Sequence, residues 1–269
     1  MKRTLIKVIL FSVMVLPATR CLAEPAPVDS RAYLIGHSLM TYPAILRDLA
    51  GAAGIGLATR AQKGSGFSLK SNWNLSDQAF EGDAFSELSE HVYDSLILTE
   101  RVVPLEKSVE EDESAVYGRR FLDLARQTSP DIQPYLYETW HGFWERNWRE
   151  RLTNDLALWE EIADGIDAGQ KGKPVLIIPA GQAMARIHDA IAAGTMPGLS
   201  SIHDLFSDEI HLNNAGDYFV SLVHFTTMFR RSPVGLPAMY VSRETAAAMQ
   251  ELVLDVVTGY PRTGYTGQD

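Results

Sequence analysis

The sequence predicts an α/β fold: a parallel sheet covered by helices on both faces. Three observations carry this. Short apolar runs alternate with segments of helical periodicity between residues 32 and 258. The runs are almost continuously apolar, as in Leu34-Ile35, Leu96-Ile97-Leu98 and Val175-Leu176-Ile177-Ile178, which marks strands buried on both faces. No internal repeat and no linker rich in proline or serine interrupts the alternation, so residues 24–269 read as a single domain.

Each element follows from its pattern. Residues 32–36 form a short strand closed by Gly36. Residues 42–53 read as a helix and 55–62 as a second strand, followed by the turn Lys63-Gly64-Ser65-Gly66. Residues 79–91 look helical, and 94–99 give strand three. The acidic run 106–113 reads as a solvated loop and helix start, with helix on to Gln127. Strand four covers 132–137, a long helical pattern covers 143–168, and strand five covers 174–179. Helices follow at 181–193, 214–230 and 244–258, and the tail from Pro261 reads as polar and loose.

Composition narrows the function classes. With 46% hydrophobic and 22% charged residues, the 269-residue chain is not disordered. Its net charge of -10 argues against a broad nucleic-acid footprint, which needs a basic stripe. No apolar run of membrane-spanning length exists beyond the N-terminus. There, Lys2, Arg3 and Lys7 precede the apolar stretch Val8–Leu16, and Cys21-Leu22-Ala23 offers a small-x-small cleavage site. Residues 1–23 therefore read as a signal peptide, with export to a periplasm or to the medium. Cleavage would remove four cations, no anion and the only cysteine, Cys21, taking the net charge to about -14. Chemistry in the remainder then falls to Ser, His, Asp, Glu and backbone groups.

Ser38 directly follows the first strand, in Gly36-His37-Ser38-Leu39. Far downstream, Asp208-Glu209-Ile210-His211 sets a carboxylate three residues before an imidazole. A serine hydroxyl is a poor nucleophile until a base takes its proton, and that base needs an orienting carboxylate. One D-x-x-H turn supplies both, if the fold carries it over the end of the first strand. Ligands of parallel α/β sheets bind at that end.

Gly36-His37-Ser38-Leu39 resembles the first block of the SGNH (GDSL-type) hydrolases, and Asp208-x-x-His211 resembles their last block. The resemblance spans most of residues 31–231, with only its two end motifs sharp. It is nearest to a carbohydrate-esterase-like subgroup, through the strand-four exit Tyr137-Glu138-Thr139-Trp140. It implies a flavodoxin-like three-layer α/β/α sandwich with a five-stranded parallel sheet. It also implies ester hydrolysis without a cofactor or metal, commonly deacetylation of carbohydrates, by Ser38, His211 and Asp208. The oxyanion hole it implies uses the amides of Ser38 and Gly66, with Gly64 as rival. The third block departs from the family's G-x-N-D, since Thr99-Glu100-Arg101 stands in its place, which leaves the third oxyanion donor open.

Other residues complete the expectation. Trp140, Trp144 and Trp148 recur every four residues and would form a helical stripe, with Trp159 further on. Trp140 is expected to line the pocket, with Trp144 as a further candidate, and the other two to be structural. Thr99, Glu100 and His37 are candidate substrate contacts; Glu138 shares that reading, with loop hydrogen bonding as the alternative. For His37 a solvent-facing loop position is the preferred reading over substrate contact. His203 and Asp204 form a second His/Asp pair, without a recognised metal-ligand spacing. An α/β-hydrolase reading ranks below, because Met40 stands where G-x-S-x-G needs glycine. The expected partner is an acetylated carbohydrate or another small ester. An acetyltransferase, a lipid esterase or thioesterase, and an inactive glycan-binding protein remain as rivals.

Overall fold

The computed structural model describes residues 28–102 and 104–267. The expected signal peptide lies outside these residues. Five strands form one all-parallel sheet: β1 (Ser30–Gly36), β2 (Leu57–Lys63), β3 (Ser95–Leu98), β4 (Gln133–Tyr137) and β5 (Leu176–Ile178). Their order is β2-β1-β3-β4-β5. The connections reverse direction between β1 and β3, so the chain leaving β1 enters the crevice where such sheets bind ligands.

Ten helices are described in chain order: α1 (Pro43–Ala52), α2 (Leu69–Asn74), α3 (Ala84–Glu90), α4 (Leu105–Glu110), α5 (Ser114–Thr128), α6 (Trp148–Asn154), α7 (Leu156–Asp167), α8 (Ala180–Ala192), α9 (Asn214–Phe229) and α10 (Arg243–Gly259). They form two layers. On one face α1, α8, α9 and α10 enclose a core with Leu34, Ile97, Tyr137 and Ile178. On the other, α3, α5 and α7 pack over Tyr33, Ile35, Leu98 and Ile177. Successive strand residues thus feed opposite cores, as a pleat requires. The result is a three-layer α/β/α sandwich.

Local chemistry sets the helix starts. Pro43 opens α1, where its missing N–H costs nothing. The Asn213 side chain accepts from the amides of Ala215 and Gly216 and caps α9. Ser242 does the same for α10 through Thr245. No described helix is long and apolar enough to cross a membrane.

Two expectations fail. Residues 143–168 are not one helix: helix begins only at Trp148, and 138–147 is an ordered loop. The tail is not loose through Gly267, for Pro261–Thr263 forms a 3-10 turn whose buried Thr263 hydroxyl donates to the Val257 carbonyl, with Tyr265 buried beside it. The sequence reading also missed α2, a six-residue helix too short to show a period.

Candidate active site

Two loops meet over the carboxyl end of the sheet. The first is residues 37–42. Gly36 lets it leave β1, because a Cβ there would fall 2.3 Å from Thr99 Cγ2 and 2.7 Å from Met40 Sδ. His37 turns inward. Its Nε2 lies 3.0 Å from the Glu100 carbonyl, and its Nδ1 accepts from the Leu39 amide at 3.4 Å. Burial pushes its pKa down to about 4, so the ring is neutral. The Tyr137 hydroxyl donates to the Leu39 carbonyl and the Lys63 ammonium to the Met40 carbonyl. These anchors leave Ser38 half-buried at the loop's crest.

The second loop, residues 207–211, is closed at its base by a hydrogen bond from the Ser207 amide to the His211 carbonyl at 2.8 Å. Inside it, Asp208 Oδ1 accepts from the amides of Ile210 (2.9 Å) and His211 (2.7 Å). These two donors and the His211 ring hold the Asp208 carboxyl down at about 2. Asp208 Oδ2 lies 2.8 Å from His211 Nδ1, and His211 Nε2 lies 2.9 Å from Ser38 Oγ. With Nδ1 protonated toward the carboxylate, Nε2 is free to accept the serine proton. The arrangement is a serine–imidazole–carboxylate relay. It is not enclosed: the side chains of His211 and Asp208 are 39% and 54% exposed.

The loop after β4 buttresses the second loop. Trp140 Nε1 donates to the Ile210 carbonyl at 2.9 Å, and the Phe143 amide donates to the Glu209 carbonyl at 2.9 Å. This corrects the reading of the tryptophans. Trp140 is fully buried, packed edge-on against Tyr137 and Phe206, and offers no face to a ligand. The three indoles form no helical stripe, since only Trp148 lies in a helix. Trp148 and Trp159 are core residues, and Trp144 is exposed.

Glu100, Thr99 and His37 are likewise beneath the site and not on its surface. The Thr99 hydroxyl donates to the Tyr137 carbonyl at 2.8 Å and its amide to Ile35, so neither is free as a third oxyanion donor. Glu100 accepts from the amides of Arg101 and Leu69, and burial pushes its carboxyl up to about 7. Glu138 is fully buried; it accepts from the amide and side chain of Gln182, and burial lifts it to about 8. It fills space that Gly181 leaves, where a Cβ would sit 2.7 Å from Glu138 Oε1.

The glycine pair separates cleanly. The Gly64 amide donates to the Gly36 carbonyl and extends the β1–β2 ladder. Gly66 adopts φ +66° with open space about its α-carbon. The amides of Ser38 and Gly66 have no hydrogen-bond partner among the described residues. Asp204 caps its own turn through Ser200 and Ser201, and the His203 ring packs on Phe143. Among the described residues no three His, Cys, Asp or Glu side chains gather to hold a metal ion. The sequence reading missed Asn72, Lys63 and Phe143. Asn72 is buried and donates to the Gly36 carbonyl at 2.9 Å. No local motif announces any of them, because each acts on the backbone of a distant segment.

Cavities of about 470 and 480 Å³ open at the opposite rim, around the strand starts at Arg31, Leu57, Ser95 and Gln133, and the relay lines neither. The relay itself lies on a shelf at the carboxyl end of the sheet, with the His211 and Asp208 side chains open to solvent.

No family model matches the chain, and no curated protein matches it significantly. Solved structures do. A DUF4886 family protein from Bacteroides uniformis ATCC 8492 is 16% identical with a TM-score of 0.66, over 87% of this chain and 96% of that one. A carbohydrate esterase family 3 protein from Talaromyces cellulolyticus is 13% identical over 75% of this chain and 97% of its own, with a TM-score of 0.49. Axe2, an acetylxylan esterase from Geobacillus stearothermophilus, is 10% identical over 80% of this chain and 98% of its own, with a TM-score of 0.46. The first likeness shows a shared fold; the two weaker ones add no weight to it.

Proposed function

We propose that this chain is a serine esterase of the SGNH type that removes small acyl groups, acetyl foremost, from an extracytoplasmic carbohydrate. The observation that carries this reading is the hydrogen-bonded series Ser38–His211–Asp208, assembled from segments 173 residues apart. A serine and an imidazole at 2.9 Å, with the far ring nitrogen on an ionised carboxylate, is the arrangement that activates an alcohol near neutral pH.

His211 Nε2 takes the Ser38 proton as Oγ attacks the ester carbonyl. Asp208 stabilises the imidazolium. The unpartnered amides of Ser38 and Gly66 receive the developing oxyanion. His211 then protonates the leaving alcohol, and a water activated by the same imidazole releases the acid. No step needs a cofactor. The open shelf supports a substrate whose bulk stays outside, a sugar carrying a short acyl group. The basic and apolar start of the chain supports action outside the cytoplasm.

The test is hydrolysis of p-nitrophenyl acetate by the purified protein and by Ser38→Ala. Loss of at least about 10³-fold in kcat is expected. Hydrolysis that survives the substitution would exclude Ser38 as nucleophile.

A further inference from the structure

At the rim opposite the relay, the edge of the sheet carries a basic cavity that the proposed reaction does not use. It encloses about 470 Å³ and is lined by Arg31, Arg47, Arg60, His91, Glu87 and Tyr93. β2 is an edge strand, and the cavity opens along its first half, from Leu57 to Arg60.

Register places the arginines. Arg31 pairs with Ala58, and Tyr33 with Arg60, across β1 and β2. Paired residues of a parallel ladder share a face, and so do alternate residues of one strand. Arg31 and Arg60 therefore lie on the side where Tyr33 packs against Tyr93. A stagger of two residues on neighbouring strands sets their α-carbons about 8 Å apart, so two arginine side chains can close on one small ligand. Arg47 comes from α1 on the other face and reaches the same edge, where its Nη1 donates to Thr59 Oγ1 at 2.6 Å.

These three cations have no carboxylate partner. Arg101, Arg149, Arg151, Arg186 and Arg262 each pair with an Asp or Glu, whereas among the described residues Arg31, Arg47 and Arg60 form no ion pair. The chain holds 34 Asp and Glu against 24 Lys and Arg, so acids to answer them are not scarce. The acid in the cavity wall is engaged elsewhere: Glu87 Oε2 accepts the Tyr93 hydroxyl at 2.6 Å. Asp94 accepts the Arg31 amide and leaves the guanidinium alone. Burial and the Glu87 bond raise the pKa of Tyr93, and Arg60 and Arg31 both oppose the rise, which puts both charges near that one hydroxyl.

Charge and acceptor number select the ligand. A carboxylate has one charge and two oxygens, and a single guanidinium fork satisfies it. Three forks call for an anion with more oxygens and more charge. A phosphate monoester has both, and the rest of the cavity is large enough for the group that bears it. We infer that this cavity binds a phosphate monoester of sugar size, gripped by Arg31 and Arg60 with Arg47 as the third donor. Arg31 stands roughly 17 Å along β1 from Gly36, so the site is separate from the relay and needs nothing of the esterase reading.

The experiment is calorimetric titration of the purified protein, at fixed ionic strength, with glucose 6-phosphate, inorganic phosphate and acetate. Saturable binding of both phosphates is expected with Kd of ~1 mM or tighter, glucose 6-phosphate the tighter of the two, and none of acetate. Arg31→Gln and Arg60→Gln should each weaken glucose 6-phosphate about five- to tenfold, and Arg47→Gln about threefold. Urea unfolding and p-nitrophenyl acetate hydrolysis should stay unchanged in all three. Arg243→Gln, at an exposed arginine outside the cavity, should leave binding as it was. Acetate binding as tight as phosphate binding, no saturation by either phosphate, or an affinity unchanged in the Arg31→Gln, Arg60→Gln double variant would overturn the site.

Discussion

Asp208 keeps its charge without burial. Two amides from its own turn and the His211 ring stabilise the carboxylate, so it is ionised at any pH where the protein would work. Asp208→Asn keeps an oxygen for those amides but loses the charge that fixes the His211 tautomer. The expected result is a fall of about 10³- to 10⁴-fold in kcat for p-nitrophenyl acetate with little change in KM, read by steady-state kinetics. Gly36→Ala tests the support beneath Ser38. Its methyl would press on Thr99 and Met40, and a loss of about 1–3 kcal/mol is expected in urea unfolding. At this scale Ser38, Asp208 and His211 were legible in the sequence because their chemistry demands particular residue types near particular strand ends. His37, Thr99 and Glu100 sit just as near in the chain, but their side chains turn inward to satisfy buried backbone groups. Sequence position tells which loop a residue joins, not which way its side chain points.

The loop between β4 and α6 shows the same limit for an element. Its tryptophans at 140, 144 and 148 carry helical spacing, yet the segment stays open until Trp148. Gly142, with its α-carbon against the Trp144 ring, belongs to a turn closed by a hydrogen bond from the Glu145 amide to the Gly142 carbonyl. The Phe143 and Trp140 donors face the second loop, where a helix would have turned the Phe143 amide inward. Tertiary pairing overrides local periodicity here. Trp140→Phe keeps an aromatic ring but removes the bond to the Ile210 carbonyl and part of the buried indole. We expect a loss of about 2–4 kcal/mol in thermal or urea unfolding. A fall of about tenfold in kcat should accompany it, as His211 loses its external support; an unaltered kcat would show that Phe143 alone holds the loop. The strands themselves were legible to within two residues at each end, since each is an apolar run flanked by turn residues.

The whole molecule buries two carboxyls at the sheet's carboxyl ends, Glu100 and Glu138, with pKa values raised by burial to about 7 and about 8. Both bind a proton more tightly folded than unfolded. Their contribution to stability is full below about pH 4.5 and is lost as pH rises to about 8. The melting temperature should therefore fall between pH 5 and pH 9, and the fall should be shallower in Glu138→Gln, measured by calorimetry across that range. A slope identical in the variant would assign the effect to other groups. The exposed His211–Asp208 pair has a different consequence at this scale. About half of each side chain is exposed, so solvent dilutes the field that favours proton transfer. A ligand broad enough to roof the shelf would bring its own dryness and sharpen that field. Turnover number, and not affinity alone, should then climb with the footprint of the ester, leaving p-nitrophenyl acetate a slow reporter of a faster enzyme.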